Sequence, residues 1–82
     1  MILIGGQIRA ARGFLQWSAQ RLADAAGIGL STVQRAEKAE GEPALTRANL
    51  MAIRTALEAA GVEFIAENGG GAGVRLRSAP PA

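Results

Sequence analysis

The stretch "LADAAGIGLSTVQRAE" (residues 22–37) decides the fold of this chain. Its apolar residues have helical spacing on both sides of a short interruption formed by Gly27, Ile28 and Gly29. Gly27 is typical of the residue that follows a helix, where a left-handed backbone conformation is easiest for glycine. The pattern therefore predicts two short helices joined by a tight turn, with the second projecting at an angle from the first.

The composition of these two helices indicates how they pack. The first is expected to start after an N-cap at Ser18, and the second to run from about Leu30 to Ala39. Ala23 is small enough to let the second helix cross the first closely. Val33 has the spacing of a residue that faces the interior.

A further helix is predicted on each side of this pair. One extends from about Gly6 to Phe14, and the other starts after Thr46 and stops at Gly61. Thr46 is a good N-cap residue, and Leu45 and Leu50 are placed to contact each other across it as a hydrophobic staple. The first 61 residues are thus expected to form a domain of four helices.

After Gly61 the apolar residues alternate instead of following a helical period. The segments "VEFIAE" (62–67) and "VRLR" (74–77) flank the glycine-rich "NGGGAG" (68–73), which predicts a β-hairpin over residues 62–77. One face of this hairpin is apolar, and the other sets glutamates against arginines. Residues 78–82 are expected to form a flexible tail. The predicted fold is mainly α, with a C-terminal β-hairpin.

The composition argues against an enzyme. The 82 residues include no cysteine and no histidine, so thiolate and imidazole metal ligands and the commonest general base are all absent. Glu58, Glu63 and Glu67 show no pairing with a base, a nucleophile or a metal-ligand set. We expect no catalytic residues, no metal and no cofactor.

The charge is small but unevenly distributed. The net charge of +2 lies entirely within residues 1–41, because the four basic and four acidic residues of 42–82 balance. Basic residues beside the predicted turn are weak evidence for a polyanionic partner. The apolar run at residues 2–4 is too short for a signal peptide or a membrane span, which favours a cytoplasmic protein without membrane contact.

The segment "IRAARGFLQWSAQRLADAAGIGLSTVQRAE" (residues 8–37) resembles the Xre/Cro-type helix-turn-helix family of phage repressors and small bacterial regulators. Ala23, Gly27, Val33 and the "RAE" segment fall in register with that pattern. The resemblance covers residues 7–60, and "GVEFIAENGGGAGVRL" is similar to the ending of many short members. It implies a lambda-repressor-like fold, in which the helix from Leu30 enters the DNA major groove.

The resemblance also implies a set of DNA-contacting residues on the recognition helix and near the start of the helix before it: Leu30, Ser31, Gln34, Arg35, Lys38, Ser18, Gln20 and Arg21. Arginine can bind guanine through two hydrogen bonds, and glutamine can do the same with adenine. Leu30 either touches a thymine methyl group or completes the core. Arg35 and Lys38, if they do not contact DNA, are solvated residues on an exposed face.

Several neighbouring residues are assigned other roles. The resemblance implies an ion pair between Arg12 and Glu37 that sets the angle of the recognition helix. Trp17 is expected to cover the core, and Arg9 is either a contact to the DNA backbone or a solvated residue. Ala19 stands where the family usually places a glutamine that holds a phosphate, so we expect the phosphate contacts to differ from the family's pattern.

The predicted function is a sequence-specific, double-stranded DNA-binding transcriptional regulator, most simply a repressor acting as a homodimer on a palindromic operator. One alternative is an antitoxin that represses its own operator and also binds a toxin. Another is a protein-interaction adaptor on the same scaffold, and RNA polymerase is a further possible protein partner. The hairpin is expected to join the two copies, the alternative being that it folds back on helix 4 of its own chain.

Overall fold

The computed structural model describes residues 3–41, 43–66 and 69–77. Within these ranges, four helices precede two strands: α1 (Gly5–Leu15), α2 (Ala19–Ala26), α3 (Leu30–Lys38), α4 (Arg47–Ala59), β1 (Val62–Ile65) and β2 (Gly73–Leu76). The predicted mainly helical chain with a small C-terminal hairpin is confirmed at this level. The expectations for Glu67 and for the tail over 78–82 fall outside the described residues.

The connection between α2 and α3 follows the sequence closely. Ser18 caps α2, because its Oγ accepts a hydrogen bond of 3.0 Å from the backbone N–H of Arg21. Gly27 ends α2 with a φ of 71°, and its N–H donates to the carbonyls of Ala23 and Asp24. α3 then starts directly after Gly29, whose lack of a side chain leaves this helix without a side-chain cap.

The predicted start of α4 is also confirmed. Thr46 Oγ1 accepts a hydrogen bond of 3.1 Å from the N–H of Asn49. Ile53 and Leu57 are fully buried on its inner face, and Gly61, with a φ of 106°, leads the chain from the helix into β1. None of the helices within the described ranges is long and apolar enough to cross a membrane.

The core is one cluster that draws on all four helices, the N-terminal segment and the hairpin. Its buried apolar residues are Leu3, Ile8, Ala11, Leu22, Ala23, Val33, Ala36, Ile53, Leu57 and Val62. Leu3 was not predicted to belong to it, since the short apolar run at residues 2–4 had no helical or alternating pattern. Burial of such side chains is the main favourable term in folding a domain of this size.

The two faces of the hairpin are those that the alternation predicted, and the structure adds the register of the pairing. Phe64 lies opposite Val74 on the inner face, and Glu63 lies opposite Arg75 on the outer face. The Arg75 Nε donates to Glu63 Oε1 over 2.8 Å. β2 packs against α1, and β1 packs against α4. The hairpin therefore covers helices of its own chain, among them helix 4, on which the alternative to a dimer-joining hairpin had placed it.

A buried glutamine connects α1 to the hairpin. Gln7 is only 3% exposed; its Oε1 accepts from the N–H of Ile4 at 3.0 Å. Its Nε2 donates to the carbonyls of Gly73 at 3.0 Å and Ile65 at 3.3 Å. Because a buried amide needs partners for both its oxygen and its nitrogen, these bonds fix the end of the hairpin against the start of α1.

The start of α1 differs from the prediction by one residue. Helix α1 begins at Gly5 rather than Gly6, and the Gly5 N–H donates to the carbonyl of Gly41 over 3.1 Å. A Cβ at Gly5 would lie 2.7 Å from the carbonyl oxygen of Ala36 and closer still to that of Ala39. The backbone of α1 therefore approaches the end of α3 at a distance that glycine alone allows. Ala39 itself is extended, so α3 ends at Lys38.

We expect Gly5→Ala to lower the free energy of unfolding by about 1–3 kcal/mol, because the added methyl group meets two backbone carbonyls that cannot move independently. Gly6→Ala is the matched control, since its added Cβ would come no closer than 3.7 Å to the flexible end of Arg9. That variant should be neutral or more stable by up to about 1 kcal/mol, from helix propensity. Thermal and urea unfolding of both variants measure the difference; equal effects would contradict the close approach.

Candidate nucleic-acid interface

Helix α3 has one buried face and one exposed polar face. Val33 and Ala36 belong to the core, and Glu37 is nearly buried. The exposed residues are Ser31, Gln34, Arg35 and Lys38, which we call the α3 stripe. Their spacing of three, four and seven residues places them along one side of the helix. The structure therefore brings together four of the predicted DNA-contacting residues.

The side chains of the α3 stripe are not engaged within the protein. None of them forms a hydrogen bond or an ion pair with another residue of the described ranges. The stripe has two cationic side chains, one amide and one hydroxyl, and no acidic side chain. These groups are of the kinds that donate to phosphate and base-edge acceptors, and none of them would first have to break a bond to another described residue.

Leu30, at the start of α3, has a different environment. It is half-buried and packs against the core cluster. The sequence offered two roles for Leu30, contact with a thymine methyl group and completion of the core. The packing supports completion of the core. Contact of its remaining exposed surface with a thymine methyl group stays a prediction.

The predicted contacts on α2 are already occupied by neighbours. Ser18 caps the helix, and Gln20 Nε2 donates to Asp24 Oδ1 over 2.9 Å. The Arg21 guanidinium lies 5.1 Å from the centre of the Trp17 ring, within range of a cation–π contact. Trp17 itself packs against the core, as expected. For Gln20 or Arg21 to hold a phosphate, each would have to exchange its present contact for the new one.

The expected ion pair between Arg12 and Glu37 is present. Arg12 donates from Nε to Glu37 Oε2 over 2.8 Å and from Nη2 to Oε1 over 2.9 Å. Its Nη1 also donates to the Trp17 carbonyl at 2.9 Å. The two side chains are 28% and 10% exposed, so a bidentate pair largely shielded from water joins α1 to the end of α3.

The pair also fixes the charge of Arg12. The hydrogen bonds to Glu37 are the main cause that raises the pKa of the Arg12 guanidinium above its ordinary value, with the carboxylate charge adding to them. Partial burial acts in the opposite direction and is outweighed. The charged form of Arg12, which arginine keeps at physiological pH in any case, is thus stabilised further by the pair.

Arg9 reinforces the same connection. Its Nη1 donates to the main-chain carbonyl of Glu37, in the last turn of α3, where a cation is favoured by the helix dipole. The sequence left two roles open for Arg9, a contact to the DNA backbone or solvation. The structure shows that it has a role inside the protein. One face of α1 carries Gly5, Arg9 and Arg12. Their spacing of four and seven residues could have indicated from the sequence that they share this face.

We expect Arg12→Ala and Glu37→Ala each to lower the free energy of unfolding by about 2–3 kcal/mol, somewhat less than for removing one partner of a fully buried pair. The double variant should lose clearly less than the sum of the two single losses, since the second substitution removes a group that is already unpaired. Chemical denaturation of the three variants and the unchanged protein completes the cycle. Strict additivity would show that the two side chains do not interact in solution.

A scan against models of protein families gives no match, and none of the curated proteins is similar to this chain at a significant level. The features of the chain that bear on its function are therefore the α3 stripe and the contacts that hold it in place.

Proposed function

We propose that this protein is a sequence-specific, double-stranded DNA-binding regulator in which α2 and α3 form a helix-turn-helix motif and α3 is the recognition helix. The observation that carries the proposal is the α3 stripe. Its polar and cationic groups are exposed, aligned along one helix and free of partners among the described residues.

The chemistry of the stripe fits the major groove. A groove about 12 Å wide admits one α-helix, whose exposed side then faces the base edges. Gln34 and Arg35 are in the middle of the stripe and carry the amide and guanidinium groups that bind adenine and guanine through paired hydrogen bonds. Lys38, one turn further on, suits a phosphate. Ser31 is near the N-terminal end of α3, which is the end that enters first in this binding mode.

The contacts that hold α3 in a fixed orientation also support base recognition. Reading a base edge requires a side chain to be held in place by the scaffold, because a small change of helix angle separates donor from acceptor. Val33 anchors the inner face of α3 in the core, and Arg12 and Arg9 hold its last turn from α1. The exposed stripe is thus presented by a helix that is fixed along its length.

The wider assignment follows from the same features. Four helices with a tight connection between α2 and α3 are compatible with a lambda-repressor-like domain of the Xre/Cro type over residues 1–61. Such a domain represses transcription by occupying a promoter, in the cytoplasm and without a catalytic step or a cofactor. One recognition helix reads only a few base pairs, so we include in the proposal a homodimer on a palindromic operator, joined through residues 62–77.

The direct test is the selection of bound sequences from a random duplex pool, followed by titration of the best duplex at several salt concentrations. We expect an enriched palindrome and an affinity that falls steeply as salt increases, because phosphate contacts release counterions. An adaptor that only uses this scaffold would enrich no sequence. Binding to duplex DNA with no preference among sequences would also contradict the proposal.

Two substitutions on the stripe separate base contacts from phosphate contacts. Arg35→Ala should weaken binding by about 1–3 kcal/mol and relax the preference at one base pair of each half-site. Lys38→Ala should weaken all duplexes about equally and lower the salt slope by about one. Both are measured by titration of the selected operator and of single-base variants of it.

Arg12→Ala tests how α3 is held and not what it contacts, because Arg12 is basic but lies at the α1–α3 contact and not on the stripe. It should lower thermal stability and overall affinity, whereas the preferred operator should be unchanged because the side chains of the stripe are all retained. If Arg35→Ala altered neither affinity nor base preference, the placement of α3 in the groove would be wrong.

A further inference from the structure

The register of the hairpin determines which main-chain groups point away from it. The Arg77 N–H donates to the Gly61 carbonyl over 2.8 Å, which continues the ladder of β1 and β2 by one pair. In an antiparallel ladder, every second pair exchanges hydrogen bonds and the pairs between them turn their N–H and C=O groups outward. The outward residues are Val62 and Phe64 on β1, and Val74 and Leu76 on β2. None of their main-chain groups bonds to a described residue outside the hairpin.

The two outer edges differ in access. Val62 is 1% exposed, so the β1 edge is covered by the protein where the strand begins. Leu76 is 47% exposed and Val74 is half-buried, so among the described residues the β2 edge is the less covered of the two. A strand edge whose outward main-chain groups have no partner and whose leucine is exposed is a surface that pairs readily with another strand.

We propose that a second copy of this chain pairs with the β2 edge in an antiparallel manner, with Val74 of each copy opposite Val74 of the other. This inference deepens the proposed homodimer and names its interface. Pairing of β2 with β2 is self-complementary, so it closes after two copies and produces one four-stranded sheet across a two-fold axis. It also provides partners for the outward main-chain groups of Val74 and Leu76.

The register follows from the charges on β2. In the paired sheet, residues whose main-chain N–H and C=O groups point outward must lie opposite each other. Under this condition, only two symmetric registers pair at least three residues of β2 with β2 of the second copy. In one of them, Val74 faces Leu76 and the two copies of Arg75 lie directly opposite each other, which is unfavourable for like charges. In the other, Val74 faces Val74, and each Arg75 lies opposite Gly73 of the second copy.

Gly73 provides room for that arrangement. Its φ is not in the left-handed region, and a Cβ there would meet only Ile65 Cδ1 at an ordinary 4.0 Å. Its own chain therefore does not require glycine at this position, although glycine weakens a strand. In the paired sheet, the stem of the second copy's Arg75 lies over the bare backbone of Gly73 and beside Ile65. On the opposite face, Leu76 lies next to Ala72 of the second copy.

The chain has no cysteine, so single introduced cysteines can report the register without DNA. Gly73→Cys and Arg75→Cys proteins of different tag length are mixed and oxidised, and each is also oxidised alone. We expect this mixed disulfide to form about tenfold faster than one between Gly73→Cys and Arg77→Cys proteins, because a directly opposite pair has suitable disulfide geometry. Residues 73 and 77 face each other only in the rejected register, and that second mixture keeps Arg75 in both copies. A mixture of Glu63→Cys and Ile65→Cys probes the β1 edge in the same way and should not cross-link.

The register is wrong if the mixture of Gly73→Cys and Arg77→Cys cross-links as fast as the mixture of Gly73→Cys and Arg75→Cys, and the edge is wrong if the β1 pair cross-links instead. A second measurement covers the case in which Gly73→Cys does not fold. Sedimentation should show that Leu76→Pro dimerises at least about tenfold more weakly than Leu76→Ala, because only proline removes the outward N–H, on both copies. Equal dimerisation of the two variants would overturn the proposal. Since DNA is absent, either result is independent of the duplex selection that tests the proposed function.

Discussion

The position of α3 depends on the bidentate ion pair between Arg12 and Glu37. Glu37 is on the buried side of α3, where an unpaired carboxylate would be costly, so the packing of Val33 and Ala36 is joined by a strong preference for positions in which Arg12 reaches both carboxylate oxygens. Such a pair contributes less to net stability than apolar residues of similar volume often do. Its value here lies in orientation, because the guanidinium fork accepts one geometry and Gly5 lets the two backbones approach closely enough to use it.

Helix α1 connects this arrangement to the hairpin. Gly5, Arg9 and Arg12 lie on one side of α1 and contact the end of α3, whereas Gln7 is turned to the opposite side and holds the hairpin. At 100° per residue, these two sets of contacts are separated by roughly half a turn. The hairpin is part of the core through Val62, so it is not an appendage that can be removed without destabilising the helices.

The elements that the sequence predicted are those specified by local chemistry. Ser18, Gly27 and Thr46 act on their own helix ends, and the alternation after Gly61 specifies both strand faces within a few residues. The features that were missed depend on contacts distant in sequence. Gln7 is bonded to Ile65 and Gly73, and nothing near Gln7 in the sequence marks a buried amide. The α3 stripe was predictable because helical period alone separates it from Val33 and Ala36, whereas the partners of Gln20 and Arg21 could not be chosen among several neighbours.

These contacts have a consequence for how two copies would be arranged on DNA. If the hairpins pair across a two-fold axis, Gln7 fixes α1 relative to that axis, and Arg9 and Arg12 then fix α3 relative to α1. The separation of the two recognition helices is thereby set by a series of hydrogen-bonded contacts within the protein, before any DNA is bound. A dimer joined by flexible linkers would tolerate several spacings between half-sites, whereas one built in this way should accept a single spacing, which for helix-turn-helix dimers is usually about 34 Å or a multiple of it.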